Sequence, residues 1–298
     1  MNPLPNRRSR QPSLLIVGCG DVGLRVLKLL RGRWRALALT STPSRREALR
    51  QAGAVPLLGN LDDPATLGRL GGLADAVLHL APPPSSGEHD PRTRHLLQAL
   101  ARGGRVRRIV YASTSGVYGD CGGVRFDETR AVQPTTARAR RRVDAEAQLR
   151  WLGRRSGVAV SLLRIPGIYA ADRDGGHPRE RLQRGTPVLR AADDVYTNHI
   201  HADDLARACV AALHRALPQR IVHVSDDTEL RMGDYFDLAA DLCRLPRPPR
   251  IGRAEAAAQL SPMQLSFMGE SRRLDNRRLK RELKLRLRYP TVAEGLMS

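Results

Sequence analysis

Three glycines near the N-terminus have the spacing of a phosphate-binding turn. Gly18, Gly20 and Gly23 form the pattern G-x-G-x-x-G directly after the apolar run LLIV. In such a turn the first glycine permits a tight bend, the second lets the backbone approach a pyrophosphate, and the third allows a helix to pack closely on a strand. A structural turn would also explain the glycines. Between a strand and a helix, however, the pattern predicts a dinucleotide site formed by Gly18, Gly20, Asp21, Val22 and Gly23.

The residues after the next apolar run indicate which dinucleotide would bind. A site for NAD usually has an acidic residue about 20 residues further on, which bonds the ribose 2′-hydroxyl. Here the segment is TSTPSRR, residues 40–46, and it contains no acid. Hydroxyls and guanidinium groups suit a 2′-phosphate, because arginine forms paired charge-assisted bonds to phosphate. Thr42 and Arg45 therefore favour NADP, with NAD as the alternative, unless Arg45 and Arg46 only start a solvated helix.

The elements that would position this turn alternate regularly. Apolar runs at 14–18, 35–40, 55–58, 76–81, 108–112 and 158–164 read as strands, and segments at 22–30, 45–52, 64–70, 93–101 and 143–152 have helical periodicity. This order predicts an α/β fold with a Rossmann-type doubly wound parallel sheet. Beyond residue 166 the rhythm gives way to loops and short helices, with one more strand at 220–224.

This rhythm also suggests how the chain is divided. We expect a disordered basic tail at 1–12 and an NAD(P)-binding Rossmann domain at 13–165, rejoined by about 196–225. The remaining segments, 166–195 and 226–298, are expected to form a smaller C-terminal substrate-binding part. A ligand crevice would lie between the two parts.

Composition limits the function classes. The 298 residues carry a net charge of +20, and only three of the 50 basic residues are lysines, which indicates a general arginine bias. Aromatic residues make up 4%, too few for base-stacking platforms, so we expect no specific nucleic-acid partner. No apolar run is long enough for a membrane helix, and the four cysteines form no CxxC. A cytoplasmic protein without a membrane or metal partner is expected.

Several later segments carry a family resemblance. They are DAVLHLA at 75–81, YASTSGVYG at 111–119, LRIPGIY at 163–169, NHIHADDL at 198–205 and the C-terminal stretch 275–295. In this order the chain resembles the extended and atypical short-chain dehydrogenase/reductases, the NAD-dependent epimerase/dehydratase group. The resemblance implies hydride transfer with a small-molecule substrate, possibly a nucleotide sugar, and a possible homodimer. It also implies that Asn60, Leu61, Leu80 and Ala81 lie along the cofactor.

The chain departs from the resembled pattern at the catalytic Y-x-x-x-K. Counted from Pro134, the tyrosine and lysine positions hold Arg138 and Arg142. A guanidinium has donors but no acceptor and stays protonated, so it cannot replace the tyrosine in proton transfer. By the resemblance, Arg142 would hold the nicotinamide ribose and Thr114 a substrate oxygen, with Tyr169 as a substitute acid or base.

Two histidines invite a metal hypothesis. His199 and His201 alternate with Ile200, but Asp203 and Asp204 follow at once, and we interpret the segment as the capped start of a helix at 205–213. Tyr118 is likewise interpreted as structural.

Two main functions remain open. One is an NAD(P)-binding oxidoreductase of the epimerase/dehydratase type. The other is a catalytically silent NADP(H)-binding sensor or partner-binding protein, which the absent Tyr-Lys pair favours. A nucleic-acid-associated factor is the third and weakest candidate.

Overall fold

The computed structural model describes residues 11–298, so most of the predicted N-terminal tail lies outside the described residues. Its strands are β1 (Ser13–Val17), β2 (Arg35–Thr40), β3 (Val55–Leu58), β4 (Ala76–His79), β5 (Arg108–Thr114), β6 (Arg125–Phe126), β7 (Ala159–Ile165), β8 (Gly167–Tyr169), β9 (Val188–Leu189), β10 (Tyr196–Thr197), β11 (His199–His201), β12 (Arg220–His223), β13 (Leu230–Arg231), β14 (Arg250–Ile251) and β15 (Arg273–Leu274). The α-helices are α1 (Asp21–Leu30), α2 (Arg46–Gln51), α3 (Pro91–Ala101), α4 (Ala137–Ser156), α5 (Arg179–Gln183), α6 (Ala202–Arg215), α7 (Met232–Cys243), α8 (Arg253–Gln259), α9 (Pro262–Met268), α10 (Arg277–Arg281) and α11 (Val292–Leu296). Segments Pro43–Arg45, Pro64–Leu70 and Ser115–Tyr118 are 3₁₀ helices.

Seven parallel strands form the central sheet, in the order β12-β7-β5-β4-β1-β2-β3. The predicted α/β fold with a Rossmann-type parallel sheet is therefore confirmed. The strand order reverses between β1 and β4, and ligands of doubly wound sheets bind at such a reversal, beyond the carboxyl ends of the strands.

Both faces of the sheet are covered, which explains why its strands lack polar alternation. In β1, Leu14 and Ile16 belong to one apolar cluster, together with Val26 of α1. Leu15 and Val17 point to the opposite cluster, which includes side chains of α3 and α4. A third cluster gathers α7, α11 and the short strands β8 and β9.

Helix α4 is longer than the sequence pattern predicts. It runs over Ala137–Ser156 rather than 143–152, because the Thr136 side chain accepts a hydrogen bond from Ala139 N and caps an arginine-rich first turn. Gly157, with φ +70°, ends the helix in the left-handed conformation. The extra turns carry Arg138, Arg141 and Arg142 toward the carboxyl edge of the sheet.

Candidate functional site

Each glycine of the N-terminal turn meets a different steric demand. Gly18 has φ +83°, and a Cβ there would lie 2.5 Å from the backbone N of Ala81, so the turn has no room for a side chain. A Cβ on Gly20 would meet nothing within 4 Å, which leaves open space in front of the helix. A Cβ on Gly23 would lie 3.0 Å from Cys19 Sγ and 3.5 Å from Ile16. The turn therefore fits a pyrophosphate in the way its spacing predicts.

The start of α1 leaves backbone donors available for an anion. Its N-cap, Gly20, provides no side-chain cap, so the first N–H groups of the helix lack that partner. Asp21 places a carboxylate in the same turn, but Arg25 Nε lies 3.0 Å from one of its oxygens and Arg173 Nη1 lies 2.6 Å from the other. Arg25 also pairs with Asp172 and Asp203, so its charge is shared among three carboxylates, and Arg173 is the guanidinium that mainly offsets the repulsion that Asp21 would exert on a phosphate.

A cavity of about 320 Å³ lies beside this turn, at the ends of β1, β2 and β3. It is lined by six of the residues predicted to bind the cofactor, namely Gly18, Thr42, Arg45, Asn60, Leu61 and Ala81. Gly20, Asp21, Val22, Gly23 and Leu80 are not among its lining residues. The first four form the turn and first helical residues beside it, and Leu80 N donates to Val17 O at 2.8 Å. Six of the residues predicted to bind the cofactor thus line one cavity, and whether they bind a cofactor stays a prediction.

Arg45 and Arg46 have different positions. Arg45 lines the small cavity, and its Nη2 donates to Cys19 O at 2.7 Å, across the glycine turn. Arg46 is exposed and starts α2, as the solvated-helix interpretation predicts for that residue. Of the lining residues, only Asp62 is acidic, and it pairs with Arg92 at 2.6 Å.

A second cavity of about 600 Å³ adjoins the first, and Pro82 lines both. Thr114 reaches it at the end of β5, and Thr114 Oγ1 accepts a hydrogen bond from Gly116 N at 3.2 Å. Arg142 reaches it from α4, where its Nη1 donates to Tyr111 Oη at 2.9 Å and to Ala112 O at 2.8 Å. Thr114 and Arg142 therefore share one cavity.

Tyr169 is not brought to this cavity. The side chain is 2% exposed, and its hydroxyl donates to Thr291 O at 3.3 Å. Burial raises the pKa of its hydroxyl strongly, because the phenolate would lose its hydration. The sequence prediction placed this tyrosine by the substrate, whereas the structure packs it against Gly295 of α11.

Tyr118 has structural surroundings. It is fully buried, and its hydroxyl lies 2.6 Å from His223 Nε2. Because His223 Nδ1 donates to Asp275 O at 3.0 Å, Nε2 is the acceptor of the tyrosine proton. Burial lowers the pKa of His223 to about 4, so the ring is neutral at physiological pH.

The two histidines of β11 have different surroundings. His201 caps α6, since its Nδ1 accepts from Asp203 N at 3.2 Å, so the cap is the histidine rather than an aspartate. His199 lines the large cavity and stacks on Tyr235 with ring centroids 4.2 Å apart. Burial lowers the pKa of His199 to about 4, and its buried Nδ1 has no hydrogen-bond partner within residues 11–298.

Sequence reasoning missed much of the large cavity. Arg141, Arg173, Arg181 and His199 line it, together with the loop Pro82–Ser85. They come from α4, α5, β11 and irregular segments that are far apart in the sequence. The alternation of His199 and His201 was the only sequence pattern that drew attention to any of these residues.

A buried ion pair fixes the helix that carries several of these groups. Glu146 of α4 accepts from Arg164 Nη2 of β7 at 2.6 Å and from Ser113 Oγ of β5 at 2.5 Å. Glu146 is 4% exposed and Arg164 3% exposed. Two strands of the sheet thus hold α4 against the carboxyl end of β5.

Residues 11–298 contain no cluster of three or more histidine, cysteine or acidic side chains that could hold a metal ion. No helix within the same residues is long and apolar enough to cross a membrane.

Comparisons with known proteins agree with this architecture. A sequence profile of the NAD dependent epimerase/dehydratase family matches residues 14–225. Protein YeeZ of Escherichia coli K12 is 26% identical over 284 residues, which cover 92% of this chain and 95% of YeeZ.

Solved structures are similar over almost the whole chain. A functionally unknown conserved protein from Silicibacter pomeroyi DSS has a TM-score of 0.80 and 32% identity, covering 96% of this chain and 97% of that one. The UDP-glucose 4-epimerase of Thermotoga maritima, solved with UDP-glucose, has a TM-score of 0.78 at 18% identity, covering 95% and 96%. At that identity the epimerase supports the fold alone.

Proposed function

Because the chain belongs to the NAD-dependent epimerase/dehydratase family, we propose that it binds NADP(H) and transfers hydride to or from a nucleotide-sugar-like substrate. The observation that carries this proposal is the paired cavity. A glycine turn with room for a pyrophosphate borders the small cavity, and Pro82 lines both that cavity and the larger one, which Thr114 also lines. A bound nicotinamide dinucleotide would supply the hydride acceptor or donor.

The residues of the cleft have distinct roles in this proposal. The N–H groups at the start of α1 bind the pyrophosphate. Arg45, beside Thr42, binds a 2′-phosphate, which favours NADP over NAD. Arg142 uses the guanidinium nitrogens not bound to Tyr111 and Ala112 to hold the nicotinamide ribose. Thr114 donates to a substrate hydroxyl or carbonyl oxygen and so orients the reacting carbon.

The larger cavity supports the substrate class. Its volume of about 600 Å³ lies within the range of small-molecule sites. The structurally similar epimerase from Thermotoga maritima was solved with UDP-glucose, which gives a precedent for such a ligand on this fold. We assign part of the substrate side of the cavity to residues 166–195 and 226–298, which line it together with Thr114 and α4.

Proton transfer is the weak step of the proposed reaction. Arg138 and Arg142 keep positive charge at the positions where the family pattern has tyrosine and lysine. They cannot exchange a proton, and general acid–base help contributes typically about 10² to 10⁴ in rate. We therefore expect slow turnover of ordinary nucleotide sugars. The same departure supports the second candidate, a silent NADP(H)-binding sensor or partner-binding protein.

Cofactor binding is tested at the glycine turn. Gly20→Val would place a side chain in the open space before α1, at a φ of −85°, outside the left-handed region. We expect it to weaken NADPH binding at least tenfold in a fluorescence titration. Gly68→Val is the matched control, because Gly68 is exposed and also has open space around its Cβ position. Equal affinity of both variants for NADPH would contradict the proposed site.

Chemistry is tested at Thr114. Thr114→Val should remove most of any turnover and leave cofactor affinity within about twofold, since one such hydrogen bond contributes about 1 to 3 kcal/mol. Thr114→Ser keeps the hydroxyl and should retain activity. Turnover at tens per second in the wild type would refute the slow-chemistry proposal. Cofactor binding with no hydride transfer to any nucleotide sugar would favour the silent alternative.

A further inference from the structure

The large cavity carries an excess of positive charge. Of the residues that the structure describes, six arginines line it, and Glu270 is its only acidic lining residue. The arginines are Arg138, Arg141, Arg142, Arg173, Arg181 and Arg272. A cavity of this composition attracts anions and disfavours neutral occupants of the same shape.

Within the described residues, only two of these arginines already have a carboxylate partner. Arg272 pairs with Glu270, and Arg173 pairs with Asp21 at 2.6 Å. Within residues 11–298, the other four have no carboxylate oxygen within 4.0 Å, namely Arg138, Arg141, Arg142 and Arg181. Since the folded chain does not neutralise them, an anionic ligand is the natural counter-charge.

Burial sharpens this argument for Arg141. The residue is 6% exposed, its Nη1 donates to Gly87 O at 2.6 Å, and its buried Nε has no partner within the described chain. A buried cation without a counter-ion destabilises the fold, because the protein interior does not replace its hydration. Such a group is typical of a ligand site rather than of a structural core.

Arg181, on α5, is a second arginine with a buried Nε that lacks a hydrogen-bond partner within residues 11–298. Its guanidinium lies 4.4 Å from the centroid of the Phe236 ring, and Nη2 donates to Pro187 O at 3.2 Å. Burial lowers the pKa of the guanidinium. A second unneutralised cation therefore faces the cavity from another helix.

Helix geometry places three further arginines on α4, in the same cavity as Thr114. Arg138, Arg141 and Arg142 are three and four residues apart on α4, so they share one helix face. Arg138 is held 4.8 Å from the centroid of the Phe267 ring, and Thr114 lies in the same cavity at the end of β5. We call Arg138 and Arg141 the arginine face.

We propose that the arginine face binds a carboxylate of the substrate next to the carbon that Thr114 orients, so that the preferred substrate is a sugar acid rather than a neutral sugar. This inference rests on the proposed function, and it names the substrate class of that site. Arg181 offers a separate place for a second anionic group, such as the diphosphate of a nucleotide. A guanidinium and a carboxylate match in geometry, which makes the pair directional as well as electrostatic.

The test compares two ligands that differ at one carbon. UDP-glucuronic acid and UDP-glucose share the diphosphate, and only the former has a carboxylate on the sugar. We expect the wild-type protein to bind the uronate at least tenfold more tightly in calorimetric titrations with NADPH present. Arg138→Gln and Arg141→Gln should each bring that affinity ratio toward one. Arg140→Gln is the matched control, because Arg140 lies on the same helix, pairs with Glu88 and does not line the cavity.

Three outcomes overturn the inference. A ratio near one in the wild type would show that the sugar carboxylate is not recognised. An unchanged ratio in both variants would show that neither Arg138 nor Arg141 recognises the carboxylate. Absence of uronate binding at millimolar concentration would overturn it as well. Because Arg138 is exposed, its variant keeps the test valid if Arg141→Gln fails to fold. A protein that binds the uronate selectively but not NADPH would contradict the proposed function alone.

Discussion

At the scale of single residues, the proposed site depends on the glycine turn and on three arginines that line its cavities. Arg45 lines the small cavity, and Arg138 and Arg141 line the large one. Arg45 closes over the glycine turn through Cys19 O, and a guanidinium in that position suits an additional phosphate on the adenosine ribose.

Cofactor preference is the prediction that follows at this scale. We expect the wild type to bind NADPH more tightly than NADH, and Arg45→Ala to remove most of that preference, because the 2′-phosphate loses a charge-assisted bond. The measurement is the ratio of dissociation constants from fluorescence titrations of both cofactors.

Arg46→Ala provides the control for this measurement. Arg46 is adjacent and equally charged, but it is exposed and lines no part of the small cavity. Its substitution should leave the ratio unchanged. Equal affinities of the wild type for the two cofactors, or equal effects of the two variants, would exclude a specific 2′-phosphate site at Arg45.

How far the candidate site can be predicted from the sequence depends on how close its residues are along the chain. The turn from Gly18 to Gly23 is recognisable because its predicted role follows from spacing within six residues. The pairing of Arg141 with Gly87, and the approach of Arg181 and His199 to the same cavity, depend on contacts between distant segments. No pattern along the chain shows which of 47 arginines will be buried without a partner.

Among the elements, α4 matters most, because it carries the arginine face and Arg142. Its attachment depends on Glu146, which accepts hydrogen bonds from Arg164 of β7 and Ser113 of β5. Apolar periodicity predicted only the middle of this helix. Its first turns contain arginines whose buried contacts are tertiary, and hydropathy alone does not reveal them.

We predict that Glu146→Gln destabilises the protein by about 3 to 5 kcal/mol, because it leaves the Arg164 guanidinium buried without a counter-charge. Urea unfolding followed by circular dichroism would measure the loss. NADPH affinity should fall as well, since α4 also positions Arg142.

Glu88→Gln is the corresponding surface control. Glu88 pairs with Arg140 of the same helix, but in solvent, where such pairs contribute little. A loss of stability in Glu146→Gln no larger than in Glu88→Gln would show that the buried pair does not hold α4.

At the scale of the whole molecule, the sequence predicts the parallel α/β architecture, whereas it predicts neither the strand order nor where the positive charge gathers. Alternating strands and helices specify the parallel sheet, because right-handed crossovers leave few topologies. The net charge of +20 indicated a general arginine bias, yet several arginines converge on one cavity. The homodimer and the absence of a specific nucleic-acid partner stay predictions.

Stability of the whole molecule should be greatest near neutral pH. Burial lowers the pKa of His79 to about 3 and of His199 and His223 to about 4. These rings are protonated more readily in the unfolded chain, so their contribution to stability is present above pH 6.5 and is lost as the pH falls toward 4. Each contributes about 1.4 kcal/mol per pH unit within its window. Urea unfolding between pH 4 and 7 would measure this decrease in the free energy of unfolding at acidic pH.

The loss of stability at higher pH depends on Asp226, because burial raises the pKa of its carboxyl to about 8. The side chain is 4% exposed, and Asp227 and Tyr169 are among its charged and titratable neighbours. The folded state holds this proton more tightly, so its contribution to stability is complete below about pH 4 and is lost as the pH rises through 8. In Asp226→Asn this titration is absent. The free energy of unfolding of the wild type, minus that of the variant, should therefore decrease by about 1.4 kcal/mol per pH unit between pH 5 and 7. Parallel profiles for the two proteins would show that Asp226 is already ionised in the folded state.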